Sequence, residues 1–155
     1  MTILVLSLLI GVVAGLRAMT APAVVAWAAH AGGLSLAGTP LAFMGHVVAL
    51  WVFGVLALGE LVTDQLPKTP SRKVPVQFGT RIVMGALCGA TLAAPGGQLV
   101  LGAIAGAAGA VIGTLGGAAV RAKMAQAFGR DLPAALIEDV VAVGGALAIV
   151  CMASR

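Results

Sequence analysis

Between Arg17 and Glu60 the chain contains no Asp, Glu, Lys or Arg, and none occurs between Arg81 and Arg121. Stretches this long cannot wind through water-facing surface, which needs charge at short intervals. Of the 155 residues, 9% are charged and 61% hydrophobic, with a mean hydropathy of +1.12. A soluble domain usually carries about 25% charged residues. The chain is therefore expected to be all-α and polytopic, one integral membrane domain over residues 1–155. Its 22 glycines fit that class, because glycine is tolerated where membrane helices approach closely.

Six apolar runs, each bounded by Gly, Pro or charge, cover 2–17, 21–37, 41–63, 77–94, 98–120 and 133–153. Crossing the ~30 Å hydrocarbon core takes about 20 helical residues, with roughly 17 as the lower limit. The third, fifth and sixth runs pass easily, whereas the first, second and fourth are marginal. The second, APAVVAWAAHAGGLSL, is the weakest. A half-helix or re-entrant segment is allowed there only where protein buries it. The expected architecture is a bundle of about six membrane helices, short segments among them. The N-terminal run is expected to be a retained span, since no base precedes it and Arg17 follows it, the wrong polarity for a signal peptide.

With six crossings, Arg17, Lys68, Arg72, Lys73, Arg81, Arg121, Lys123 and Arg130 fall on one side. The opposite side has the uncharged loops GGLSLAGTP and APGGQ, plus the terminal Arg155. The positive-inside rule places the basic side in the cytoplasm, with both termini outside. Arg17 then ends the first span, and Pro22 suits the first turn of the next helix. The formal net charge of +4 does not indicate nucleic acid, because no basic stripe is interleaved with aromatics.

In the fifth run Gly102 and Gly106 are four apart, as are Gly109, Gly113 and Gly117. Such residues share a helix face and let backbones touch. Gly11 with Gly15 and Gly85 with Gly89 repeat the spacing. Packing within the chain, a homodimer face and a ligand groove are all compatible with it. A weak internal repeat links GVVAGLRAM (11–19) to TLGGAAVRAKM (114–124), each followed by a proline-started apolar run. The first and last hairpins would then be parallel.

The acids are Glu60, Asp64, Asp131, Glu138 and Asp139. Glu60 and Asp64 share one helix face, Glu138 lies deeper in the sixth run, and Arg81 lies about a turn inside the fourth. Charge at membrane depth is costly and marks either structural ion pairs or a site. Glu60 with Arg81 is the expected structural pair. Glu138 with Arg17 or Arg121 is the expected functional one. The candidate ligand or ion site is Arg17, Glu60, Arg81, Arg121 and Glu138. In DQLPKTPSRKVP, Lys68, Arg72 and Lys73 are candidate contacts for lipid headgroups or phosphate, or simply a rigid positive loop.

Cys88 and Cys151 are expected to be buried and unpaired, and His30 and His46 to be packed and hydrogen-bonded. No nucleophile–base constellation, metal spacing or phosphate loop is present in the sequence. No catalysis, cofactor or metal is expected. The expected partners are membrane lipid, an unidentified small molecule or ion, and a second copy of the chain if a dimer forms.

GLRAMTAP, GELVTDQLPKTPSRKVP, GAVIGTLGG with its following arginine, and PAALIEDVVA resemble the DUF4126 family of small bacterial integral membrane proteins. The resemblance covers essentially the whole chain. It implies a compact helical membrane fold in a bacterial inner membrane and brings no activity or ligand with it. GTLGGAAVR is also similar to the glycine-to-arginine helix of small fluoride channels, but the Phe and Asn features of that pore are missing.

Overall fold

The computed structural model describes residues 2–64 and 74–154. Six helices follow one another: α1 (Ile3–Leu16), α2 (Thr20–His30), α3 (Val47–Thr63), α4 (Pro75–Ala93), α5 (Leu99–Phe128) and α6 (Asp131–Ala153). Short 3₁₀ turns at Ala42–Gly45 and Ala94–Gly96 precede α3 and extend α4. No strand occurs among the described residues.

Among the described residues, three helical segments are long and apolar enough to cross a membrane: Pro75–Gly96, Leu99–Phe128 and Asp131–Ala153. The expected helix count holds, but the lengths are distributed differently. The third run, which looked sufficient, forms only a 17-residue helix. Residues 42–45 tighten into the 3₁₀ turn, and the His46 ring caps α3 by accepting from the Val48 N–H at 3.3 Å. The marginal fourth run becomes a full span because Pro75, at its N-terminus, starts the helix early and the turn Ala94–Gly96 lengthens it. α1 and α2, with 14 and 11 residues, reach only about 21 and 17 Å at 1.5 Å per residue. Burial against longer helices makes such short elements tolerable in lipid.

α5 is the central helix. A Cβ on Gly11 would fall onto the Gly106 carbonyl, and one on Gly113 onto the carbonyl of Val12. On its other flank, a Cβ on Gly89 would strike the Gly102 carbonyl. α1 therefore runs parallel to α5, and α4 antiparallel to it, with backbones in direct contact. Lipid supplies no hydrophobic drive between helices, so this close dispersion packing carries the association. Buried hydroxyls are satisfied inside the three-helix core: Ser7 Oγ donates to the Gly89 carbonyl at 3.0 Å, and Thr114 Oγ1 to that of Ala110 at 2.8 Å.

Among the described residues, the charged side chains gather at one end of the bundle, where α1, α3 and α5 finish and α2, α4 and α6 begin. Both hairpins of the proposed repeat run in the same direction, and Pro22 and Pro133 each occupy the third position of their helix. The repeat departs at its arginines. Arg17 ends α1, whereas α5 continues past Arg121 to Phe128 and closes on Gly129 in the left-handed conformation (φ 67°).

Candidate functional site

Arg17 leaves the end of α1 in an extended conformation (φ −137°, ψ 111°) and is completely buried. Its guanidinium meets two carboxylates from different helices, Asp64 at the end of α3 and Asp139 in α6. The acid that Arg17 lacks over some forty residues of sequence is thus supplied twice by the fold. A lone buried guanidinium costs several kcal/mol of desolvation, which only close carboxylates and hydrogen bonds offset.

Arg81 is 1% exposed. Its Nη1 donates to the carbonyls of Gly15 and Leu16 at 2.9 and 2.7 Å, and its Nη2 lies 3.7 Å from Glu60 Oε1. The carbonyls at the end of α1 have no helical partner of their own, so a cation there satisfies them and complements the helix dipole. Glu60 does the converse just before α2. Its carboxylate accepts from the N–H groups of Ala18 and Met19 at 2.7 and 2.8 Å. These donors belong to the two residues that precede α2, so Glu60 holds the link between α1 and α2 from another helix. The expected Glu60–Arg81 pair is therefore present, and it also fixes the tight link between α1 and α2.

Arg121 holds Asp131 through two parallel bonds, Nε to Oδ1 at 3.0 Å and Nη2 to Oδ2 at 2.5 Å. Nη1 donates to Glu138 Oε2 at 3.2 Å, and Nη2 also reaches the backbone carbonyl of Asp64 at 3.2 Å. With its charge matched in this way, Arg121 does not end the helix, and α5 runs on beyond the boundary that the sequence suggested.

Glu138 pairs with Arg121, and its neighbour Asp139 takes Arg17. Successive residues point about 100° apart on a helix, so adjacent acids serve two different arginines. All five acids of the chain join three arginines here. The five expected site residues are brought together. Asp64, Asp131 and Asp139 complete the cluster, although only Glu138 and Glu60 stood out by depth and pairing. The missing signal was demand: a buried Arg17 requires partners, and nearby charge in sequence could not provide them. Among the described residues, Arg17 Nε and Thr20 Oγ1 are buried without a hydrogen-bond partner.

Among the described residues, two grooves flank the cluster. One, about 330 Å³, runs between α1, α5 and α6, with Val12, Ile112, Gly116, Val120, Ile137 and Val141 along it and Arg121 and Glu138 at one end. The other, about 500 Å³, lies between α2 and α3, and Thr20 and Trp51 line it. Lys68, Arg72 and Lys73 lie outside the described residues.

Cys88 is buried as expected, but Cys151 is exposed, because it lies on the outer face of α6 near its end. His30 is likewise exposed while its Nδ1 lies 3.0 Å from the Gly45 carbonyl. Among the described residues no group of three or more His, Cys, Asp or Glu is arranged as a metal site.

A family model described as a domain of unknown function (DUF4126) matches residues 4–153. No curated protein and no solved structure matches the chain.

Proposed function

The chain belongs to the DUF4126 family, and from that premise we propose that it is a small membrane transport protein of channel or carrier type. It handles an ion, a small solute or a lipid-linked anion, and Arg17, Glu60, Arg81, Arg121 and Glu138 form its site. The observation that carries this reading is the double pairing of buried Arg17 with Asp64 on α3 and Asp139 on α6. An anion that competes for Arg17 replaces one of these carboxylates and loosens one helix from the other. Chemistry and helix movement are then linked at a single guanidinium. Ionisable groups inside membranes typically mark such pathways.

The reading places the protein in a bacterial inner membrane with the cluster end facing the cytoplasm. Lys123 and Arg130 are exposed at that end, in keeping with the positive-inside rule. It assigns no enzymatic step, cofactor or nucleic-acid partner. Reconstitution into vesicles with separate Arg17→Ala, Glu60→Ala, Arg121→Ala and Glu138→Ala variants tests it. Flux of small anions, cations or lipid phosphates should fall at least tenfold in one or more of them. Unchanged flux in all four ends the transport reading.

A second reading is favoured by one observation: the groove that reaches Glu138 is apolar along its length. On this reading the protein is a non-transporting module that binds lipid or a partner protein. Replacing Lys68, Arg72 and Lys73 should then matter more than replacing Glu138.

A further inference from the structure

The groove between α1, α5 and α6 combines three features that packing of the bundle does not require. The first is Gly116. On α5, Gly102, Gly106, Gly109 and Gly113 each meet backbone or Cβ atoms of a neighbouring helix, whereas a Cβ on Gly116 would meet nothing within 4 Å. A glycine inside a helix costs about 1 kcal/mol relative to alanine. Here that cost has no return in helix contact, and its effect is to keep the groove open.

The second feature is length. From Ile112 to Arg121 the groove wall on α5 spans about 14 Å at 1.5 Å per residue. That is close to one leaflet of a hydrocarbon core ~30 Å thick. Val120, Ile137 and Val141 form its sides and are all exposed. The groove thus lies on the flank of two helices long enough to span a membrane, accessible from the lipid phase.

The third feature is the chemistry at its end. Arg121 grips Asp131 in a two-pronged geometry that phosphate oxygens reproduce. The Asp131 side chain is 58% exposed, while Glu138 stays buried against Arg121. The N-terminus of the 23-residue α6 lies at the same place. Its N-cap is Arg130, whose side chain has no acceptor with which to cap it. The positive end of the helix dipole there favours an anion.

We propose that this groove binds a membrane lipid with a phosphate head, one alkyl chain lying between α5 and α6 and the phosphate taking the place of Asp131 on Arg121. The proposal rests on the transport reading for its consequence, since it names a lipid-linked anion as the substrate class. Its evidence is separate, being the groove itself. Free phosphate would gain nothing from the apolar wall, and a neutral chain would gain nothing from Arg121.

Native mass spectrometry of the full chain in detergent tests it, with hexadecyl phosphate, hexadecanol and inorganic phosphate as probes at equal concentration. Hexadecyl phosphate should be retained at least tenfold more than either other probe. Gly116→Leu and Val120→Trp fill the groove without touching an ion pair, and each should cut that retention tenfold while helicity by circular dichroism stays unchanged. Arg121→Gln should do the same where it folds. Equal retention of inorganic phosphate, equal retention of hexadecanol, or undiminished retention in both groove variants overturns the proposal. The transport reading fails on different data. If the groove variants lose the probe while flux is unchanged in every charge variant, the lipid site stands and transport does not.

Discussion

The guanidinium of Arg17 and the carboxylate of Asp139 meet inside the bundle, although most of the chain separates them in sequence. Together with Asp64, the pair ties the end of α1 to both α3 and α6. Removing one partner of a buried ion pair typically costs about 3–5 kcal/mol because a charge is left uncompensated. In Asp139→Ala, Asp64 still faces Arg17, so a smaller loss of about 1–3 kcal/mol is expected. Combining it with Asp64→Ala should cost more than the sum of the two single changes. Denaturant or thermal unfolding in detergent micelles reads this directly.

Glu60 accepts the backbone N–H groups of Ala18 and Met19, the two residues that lead into α2. Glu60→Gln keeps an acceptor oxygen and should lose little. Glu60→Ala leaves both donors and Arg81 without the carboxylate, at about 1–3 kcal/mol for each buried group left unsatisfied. Hydrogen exchange at Ala18 and Met19 should accelerate in the alanine variant and stay slow in the glutamine variant.

Two glycines of the same helix should respond oppositely to alanine. At Gly106 a Cβ would collide with the Gly85 carbonyl, and overpacking of that kind typically costs about 1–3 kcal/mol. At Gly116 the space is open, and Gly116→Ala should stabilise by up to about 1 kcal/mol through helix propensity. Thermal melts of the two variants side by side give the sign of each.

The six-helix order and the shared end of the charges were legible because hydropathy and loop composition encode them directly. Residues 98–120 read as a central glycine-faced helix, and Gly102, Gly106, Gly109 and Gly113 do contact α1 or α4. Helix lengths were less legible. Residues 41–63 are apolar throughout, yet hydropathy does not register a 3₁₀ turn capped by His46. The Glu60–Arg81 pair followed from one hairpin, whereas Arg17 with Asp139 depends on how α1 and α6 cross, which periodicity does not specify. Asp64, Asp131 and Asp139 joined the cluster for that reason.

The two cysteines separate by burial, Cys88 inside and Cys151 outside. A maleimide applied in detergent should label Cys151 within minutes and reach Cys88 only on unfolding. Equal labelling of both would contradict the packing of α4 against α1 and α5.

The most direct test of the central claim, that the buried ion-pair cluster is the working site, is flux into proteoliposomes for Arg17→Gln beside Val5→Ala. Val5 is an exposed α1 residue remote from every charge pair. The account predicts at least a tenfold loss of flux for Arg17→Gln, with wild-type flux for Val5→Ala and folded protein in both cases. Wild-type flux through a folded Arg17→Gln would contradict it and leave Arg17 a structural anchor of α1, α3 and α6.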